Sequence, residues 1–173
     1  MYSQRSSLLA PSTVGTSCYK FISGISHGQE WERQVSFIGM AFGQEILNAQ
    51  IFSDALSYAT KPISTETAPN LAPTAGFSSY QSPATGSHGA PPGSRTDIAL
   101  HAHDRIPMYD ARNTVFDCQT DWPVLSKVLP PFMTEVPRGS FIAVGYTCNT
   151  YFGSEKWQLS CNVQFVVVLG TPY

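Results

Sequence analysis

Phe141-Ile-Ala-Val-Gly-Tyr-Thr-Cys-Asn-Thr-Tyr-Phe152, then Gly153-Ser-Glu-Lys156, then Trp157-Gln-Leu-Ser-Cys-Asn-Val-Gln-Phe-Val-Val-Val-Leu169 read as strand, turn and return strand. In the return strand Trp157, Leu159, Cys161, Val163 and Phe165 alternate with Gln158, Ser160, Asn162 and Gln164. Alternation with a period of two is the mark of a half-buried strand. A turn centred on Ser154 and Glu155 sets Phe152 opposite Trp157, Thr150 opposite Leu159, Cys148 opposite Cys161 and Tyr146 opposite Val163. The same register continues with Val144 opposite Phe165 and Ile142 opposite Val167. A slip of one residue would turn Gln158, Ser160 and Asn162 inward, so burial enforces the register. From Phe165 to Leu169 both faces are apolar, which predicts a strand running through a sheet interior.

Working outward, residues 14–24 predict a short strand ended by glycine, and residues 33–43 a central strand apolar on both faces. Leu47, Ile51, Phe52, Ala55, Leu56 and Ala59 recur at helical spacing, so 44–59 predicts a helix, with a two-sided strand as the alternative. Residues 61–95 are dominated by Pro, Ser, Thr, Ala and Gly, which predicts a long irregular loop. Phe77 and Tyr80 are its candidate anchors, and an exposed contact loop and a passive connector both fit it. Order resumes in the alternating segment 96–104 and in 114–118. Trp122, Leu125, Val128 and Leu129 predict one or two helical turns, with Asp121 as N-cap and Pro123 in the first turn. Pro130-Pro131 then forces an extended exit. The expected fold is all-β: one domain over 1–173, an antiparallel, jelly-roll-like β-sandwich with one or two short helices and a long loop.

Composition narrows the function classes. Charged residues are 13% of the 173, against a usual share of about 25%. The 10 Lys and Arg are scattered and the net charge is −2, so no basic arm or stripe points to direct nucleic-acid binding. A sparsely charged surface suits a protein covered by neighbours, hence a homo-oligomer. No apolar run is long enough for a membrane span, and the first residues lack the apolar stretch of a signal peptide. The 4 cysteines match no metal-binding spacing. Cys148 and Cys161 face each other as a possible cross-strand disulfide or, as preferred here, as two small buried hydrophobes.

Three chemical patterns bear on function. Gly24-Ile-Ser-His-Gly28 matches the G-x-S-x-G of hydrolase elbows, but the strand expected at 33–43 stands where that motif needs a helix. His101-Ala-His103 would set two imidazoles on one face of a strand, the weak metal candidates of this chain. With Pro137-Arg-Gly139 they resemble parts of the cupin motifs, yet Ile142 replaces the second motif's histidine and no glutamate follows His103 at the family's distance. Tryptophans and tyrosines could stack on sugars; Trp157 lies on the expected core face, and Tyr151, on the polar face, is better placed. No catalytic residue and no cofactor is expected.

Gly24-Ile-Ser-His-Gly-Gln-Glu-Trp-Glu-Arg33 leading into 34–43, and Pro137-Arg-Gly-Ser-Phe-Ile-Ala-Val-Gly-Tyr146 leading into the last two strands, resemble viral jelly-roll capsid proteins and capsid protruding domains. The resemblance covers about half the chain. It implies a structural protein of the virion that self-assembles with other capsid subunits and contacts a host receptor or glycan, with Phe77, Tyr80 and Tyr151 as candidate contacts. The basic N-terminal arm of RNA-packaging shells is absent, Arg5 alone standing there, which favours a protruding domain or a subunit whose genome contacts lie elsewhere. A jelly-roll lectin or ligand-binding module is the alternative, and a cupin-like metal enzyme a third.

Overall fold

The computed structural model describes residues 1–64, 99–117 and 119–172. Its strands are β1 (Tyr2–Val14), β2 (Ser17–Ile25), β3 (Asn48–Ala49), β4 (Ile51–Phe52), β5 (Ala55–Ala59), β6 (Ile63–Ser64), β7 (Met108–Asp110), β8 (Phe141–Gly153) and β9 (Lys156–Gly170). Helix α1 (Gly28–Phe42) follows β2, and a 3-10 turn (Trp122–Val124) runs into the short α2 (Leu125–Val128). The protein is mostly β. All nine strands join one hydrogen-bonded network that closes on itself, β9 to β8, β8 to β1, β1 to β2, β2 to β5 and β5 back to β9. Long antiparallel ladders alternate with short links, and the contacts of β3, β5 and β7 to β9 are parallel. These pairings do not divide the strands into the two sheets of a sandwich.

The terminal hairpin forms as β8 and β9. Ser154 and Glu155 both take positive φ (53° and 60°), which fits the tight two-residue connection of a right-handed twisted hairpin. The expected register holds from Phe152↔Trp157 to Tyr146↔Val163. Beyond that it shifts by one residue, to Gly145↔Phe165, Val144↔Val166 and Ile142↔Val168. Gln164 is the extra residue of a β-bulge. The Phe165 ring lies where a Cβ on residue 145 would stand, so the bulge forms where glycine leaves room for the ring. It also flips Phe165 onto the other face. Val163, Val166 and Val168 join the main core with Ile22, Tyr58 and Ile142, while Phe165 and Val167 pack with Leu125 and Leu129. Val166, Val167 and Val168 are fully buried, as the two-sided apolar run implied.

Two middle segments exchange their expected identities. Residues 33–43 belong to α1, not to a strand. Trp31, Gln34, Ile38 and Phe42 form its inward row, and Gly43 (φ 62°) closes it, with the N–H groups of Gly43 and Gln44 donating to Met40 and Gly39 carbonyls. Val35, Phe37 and Met40 are apolar yet exposed, which hid the helical period. Residues 44–59 are β3 to β5, not a helix; Ser53 (φ 55°) turns the chain between Phe52 and Ala55, and Leu56 and Tyr58 point into the core. Part of the expected 61–95 loop is paired strand, because Cys18 and Ser17 hold β6, and Lys61 bridges to His101. The turns at 122–128 are present with Asp121 at the N-cap position, but its side chain makes no capping hydrogen bond; its carboxylate accepts from the Asp117 N–H at 2.8 Å. Residues 114–117 form no strand, and β7 was not foreseen.

β1 is the strand with least apolar signal, and Glu135 explains how it holds. Residues 8–11 bulge between Ser7↔Phe21 and Ser12↔Tyr19, which suits Pro11 and carries Leu8 into the core. The N–H groups that leave the ladder there, Leu8 and Leu9, donate to the Glu135 carboxylate at 2.9–3.0 Å, and Ser6 Oγ donates to it as well. Glu135→Ala is expected to destabilise the protein by about 2–3 kcal/mol, because the Leu8 N–H stays buried without an acceptor. Urea denaturation checks this, and a midpoint within error of the parent would refute the role given to Glu135.

Candidate functional site

The hairpin tip projects outward: Phe152 is 64% and Trp157 39% exposed, so Trp157, although on the same strand face as Leu159 and Cys161, lies beyond the core expected for it. Tyr151 lies directly opposite Gln158 on the other face. Its ring lies beside Gly153, where even a methyl group would be crowded at 3.3 Å, and Gln158 donates to the Gly153 carbonyl at 3.3 Å. Together they form one wall of a cleft of about 320 Å³ that opens where β5 and β9 diverge. Gln50, Ser57 and Ala59 form the opposite side, and Ser160, Leu159 and Cys161 continue the β9 side. Every described side chain lining this cleft is uncharged.

Ser57 and Ser160 on its walls, and Asn162 bonded to Ser160, are polar groups that sequence reasoning missed. Ser57 was placed on a helix, and Ser160 and Asn162 on a wet face of the hairpin. Ser57 and Asn162 are each only 5% exposed. Ser160 Oγ donates to Asn162 Oδ1 at 3.1 Å, which ties the Asn162 amide to the cleft wall. The Ser57 hydroxyl and the Asn162 Nδ2 have no hydrogen-bond partner among the described residues. The polar row Gln158, Ser160, Asn162 was visible in the sequence; its burial was not.

Of the other candidate contacts, Phe77 and Tyr80 fall outside the described residues. His101 and His103 are exposed on a turn, not on a strand face; the His101 backbone N–H donates to the Asp104 carboxylate at 2.7 Å. No three His, Cys, Asp or Glu side chains come together to hold a metal ion among the described residues. At the G-x-S-x-G stretch a helix does follow Ser26, against expectation. Ser26 nevertheless lacks the positive φ of the strained elbow, and its Oγ meets Gln34 Oε1 at 3.5 Å with no histidine bonded to it among the described residues.

Beneath α1 lies a second polar group. Gln34 Nε2 donates to the Tyr58 and Tyr146 hydroxyls at 3.1 and 2.7 Å, and the two rings are 4.8 Å apart. Burial pushes both phenols up from their ordinary value. Next to them Cys148 and Cys161 face each other as free thiols, sulfur to sulfur 3.9 Å. Their hydrogen bond, with burial second, raises Cys161; the same bond holds Cys148 down. Gln34, Tyr58 and Tyr146 floor a wider cleft of about 540 Å³ rimmed by Phe37 and Phe141, and the Tyr2 ring packs against Phe141 at a tilt, 5.6 Å between centroids. No helix among the described residues is long and apolar enough to cross a membrane. The chain matches no protein-family model, no curated protein and no solved structure.

Proposed function

We propose that this protein is a structural subunit of a viral capsid or of its protruding domain, acting in the virion by self-assembly and host-surface contact, without turnover. The observation that carries this reading is the pair of exposed apolar side chains in the C-terminal half of α1, Phe37 (68% exposed) and Met40 (76%), beyond the exposed Glu30–Arg33 ion pair of its first turns. Tyr2 and Phe141 continue the apolar pair across the wider cleft. Contiguous exposed apolar surface costs solubility and is characteristic of surfaces that become covered. The low charge content supports the same reading, since little on this surface repels a second copy.

Light scattering after size exclusion, with negative-stain imaging of any large species, tests it. Regular oligomers or shells are expected. Phe37→Glu with Met40→Glu is expected to leave the melting point within about 2 °C, because both side chains are exposed, and to weaken self-association at least tenfold, equivalent to about 1.4 kcal/mol. A parent protein that stays monomeric at all concentrations would sink the assembly reading. A lectin-like ligand-binding module is the second reading, favoured by the uncharged cleft beside Tyr151.

A further inference from the structure

The cleft between β5 and β9 is lined by a buried polar group, the Ser57 hydroxyl, whose state calls for a partner from outside the chain. A buried donor or acceptor left unpaired costs roughly 1–3 kcal/mol, and native structures hold few of them. Here Ser57 Oγ, which lines the cleft, has no partner among the described residues, and neither has Asn162 Nδ2, which is bonded through its amide oxygen to the lining Ser160 but is not itself in the lining. Asn162 already uses its Oδ1 on Ser160, so its amide N–H₂ remains the spare donor, while the Ser57 hydroxyl can both donate and accept.

The lining decides what chemistry would satisfy it. An ionic ligand would enter a cleft with no charged side chain among its described lining residues and lose hydration without a counter-charge from them. An added peptide strand would need a free backbone edge. The β9 edge is already taken, by Asn48 and Ala49 at Gln158 and Leu159, and by Ala59 at Asn162. What remains is a compact, uncharged ligand with several hydroxyls. The volume, about 320 Å³, is at the small end of ligand sites. Tyr151, half-exposed at the mouth, offers an aromatic face to the C–H side of a ring, and Gln50 and Gln158 offer amides at the rim.

We propose that this cleft is a binding site for a neutral sugar ring, with Ser57 hydrogen-bonding one of its hydroxyls and Tyr151 stacking on its face. The inference rests on the proposed host-surface contact for its biological meaning and names the ligand class of that contact.

The test is NMR titration of the full-length ¹⁵N-labelled chain with free galactose, glucose, mannose, fucose, N-acetylglucosamine and N-acetylgalactosamine, and with sialic acid as the charged comparison. At least one neutral sugar is expected to bind with a saturable, millimolar-range curve and to shift the amides of Ser57, Tyr151 and residues 158–162. Tyr151→Ala and Ser57→Ala are each expected to weaken binding about tenfold. Ser57→Ala is also expected to keep or raise the melting temperature, because it removes a hydroxyl that has no partner among the described residues. A merely structural serine would lower it. The inference is overturned if no neutral sugar shifts these amides, if only sialic acid does, or if binding survives both substitutions. Light scattering on the same samples separates the two readings. Intact assembly without sugar binding sinks this inference alone, and a monomer that binds sugar sinks the assembly reading alone.

Discussion

Tyr58→Ala is expected to cost about 3–5 kcal/mol and to lower the melting temperature by roughly 10 °C or more. Tyr58 is fully buried at the centre of the main core, packed among Ile22, Leu56, Val163 and the Tyr146 ring. Truncation leaves an aromatic-sized cavity and strips Gln34 of one of its two tyrosine partners. Tyr58→Phe keeps the ring and loses only the hydroxyl, so it should cost about 1 kcal/mol. Thermal unfolding followed by circular dichroism measures both, and a loss under about 1 kcal/mol for the alanine variant would contradict this picture of the core.

The same residue sets an alkaline limit. Burial raises the phenols of Tyr58 and Tyr146, whereas in the unfolded chain both ionise near pH 10. The folded protein therefore keeps protons that the unfolded chain gives up. The stability linked to the neutral phenols is complete below about pH 10 and is lost as the pH rises through the folded-state values. Above pH 10 the parent should lose stability more steeply than Tyr58→Phe.

Gly145→Val is the second large effect, about 2–3 kcal/mol or more from overpacking. The Phe165 ring occupies the space into which any side chain at 145 must grow, and β8 is held at that point by its β9 ladder. The partner substitution distinguishes steric conflict from loss of glycine flexibility. If the ring is the obstacle, Phe165→Ala combined with Gly145→Val should cost clearly less than the sum of the single effects. Additive losses in chemical denaturation would refute the ring as the cause of the bulge.

The bulge also marks where sequence reasoning stopped working in the hairpin. Up to Tyr146 and Val163 the register followed from a two-residue turn and strict alternation, both local properties. Past Gln164 the choice lay between two apolar faces of equal appeal. It was made by Phe165 leaving the main core for the cluster around Leu125 and Leu129. The exchange between α1 and β3 to β5 has a related cause. Exposed Phe37 and Met40 made the helix look two-sided, and Leu47, Ile51 and Ala55 fell by chance at helical spacing in a segment that Ser53 breaks. At the candidate site, Tyr151 was legible from its place on the polar face, whereas Ser57 joined it only through β5 crossing to β9.

By itself, then, the amino-acid order determined the β class, the terminal hairpin with most of its register, the turns at 122–128 and the scarcity of charge. Alternation, turn chemistry and composition act between neighbours in the chain. Tertiary structure decided which apolar residues stay outside, how Glu135 holds the broken ladder of β1, and that the strands close into a ring. It also decided that Ser57 lines a cleft with its hydroxyl unpartnered among the described residues. Those outcomes depend on contacts between residues up to about 130 positions apart, as between Leu8 and Glu135, and no local pattern encodes a contact of that span.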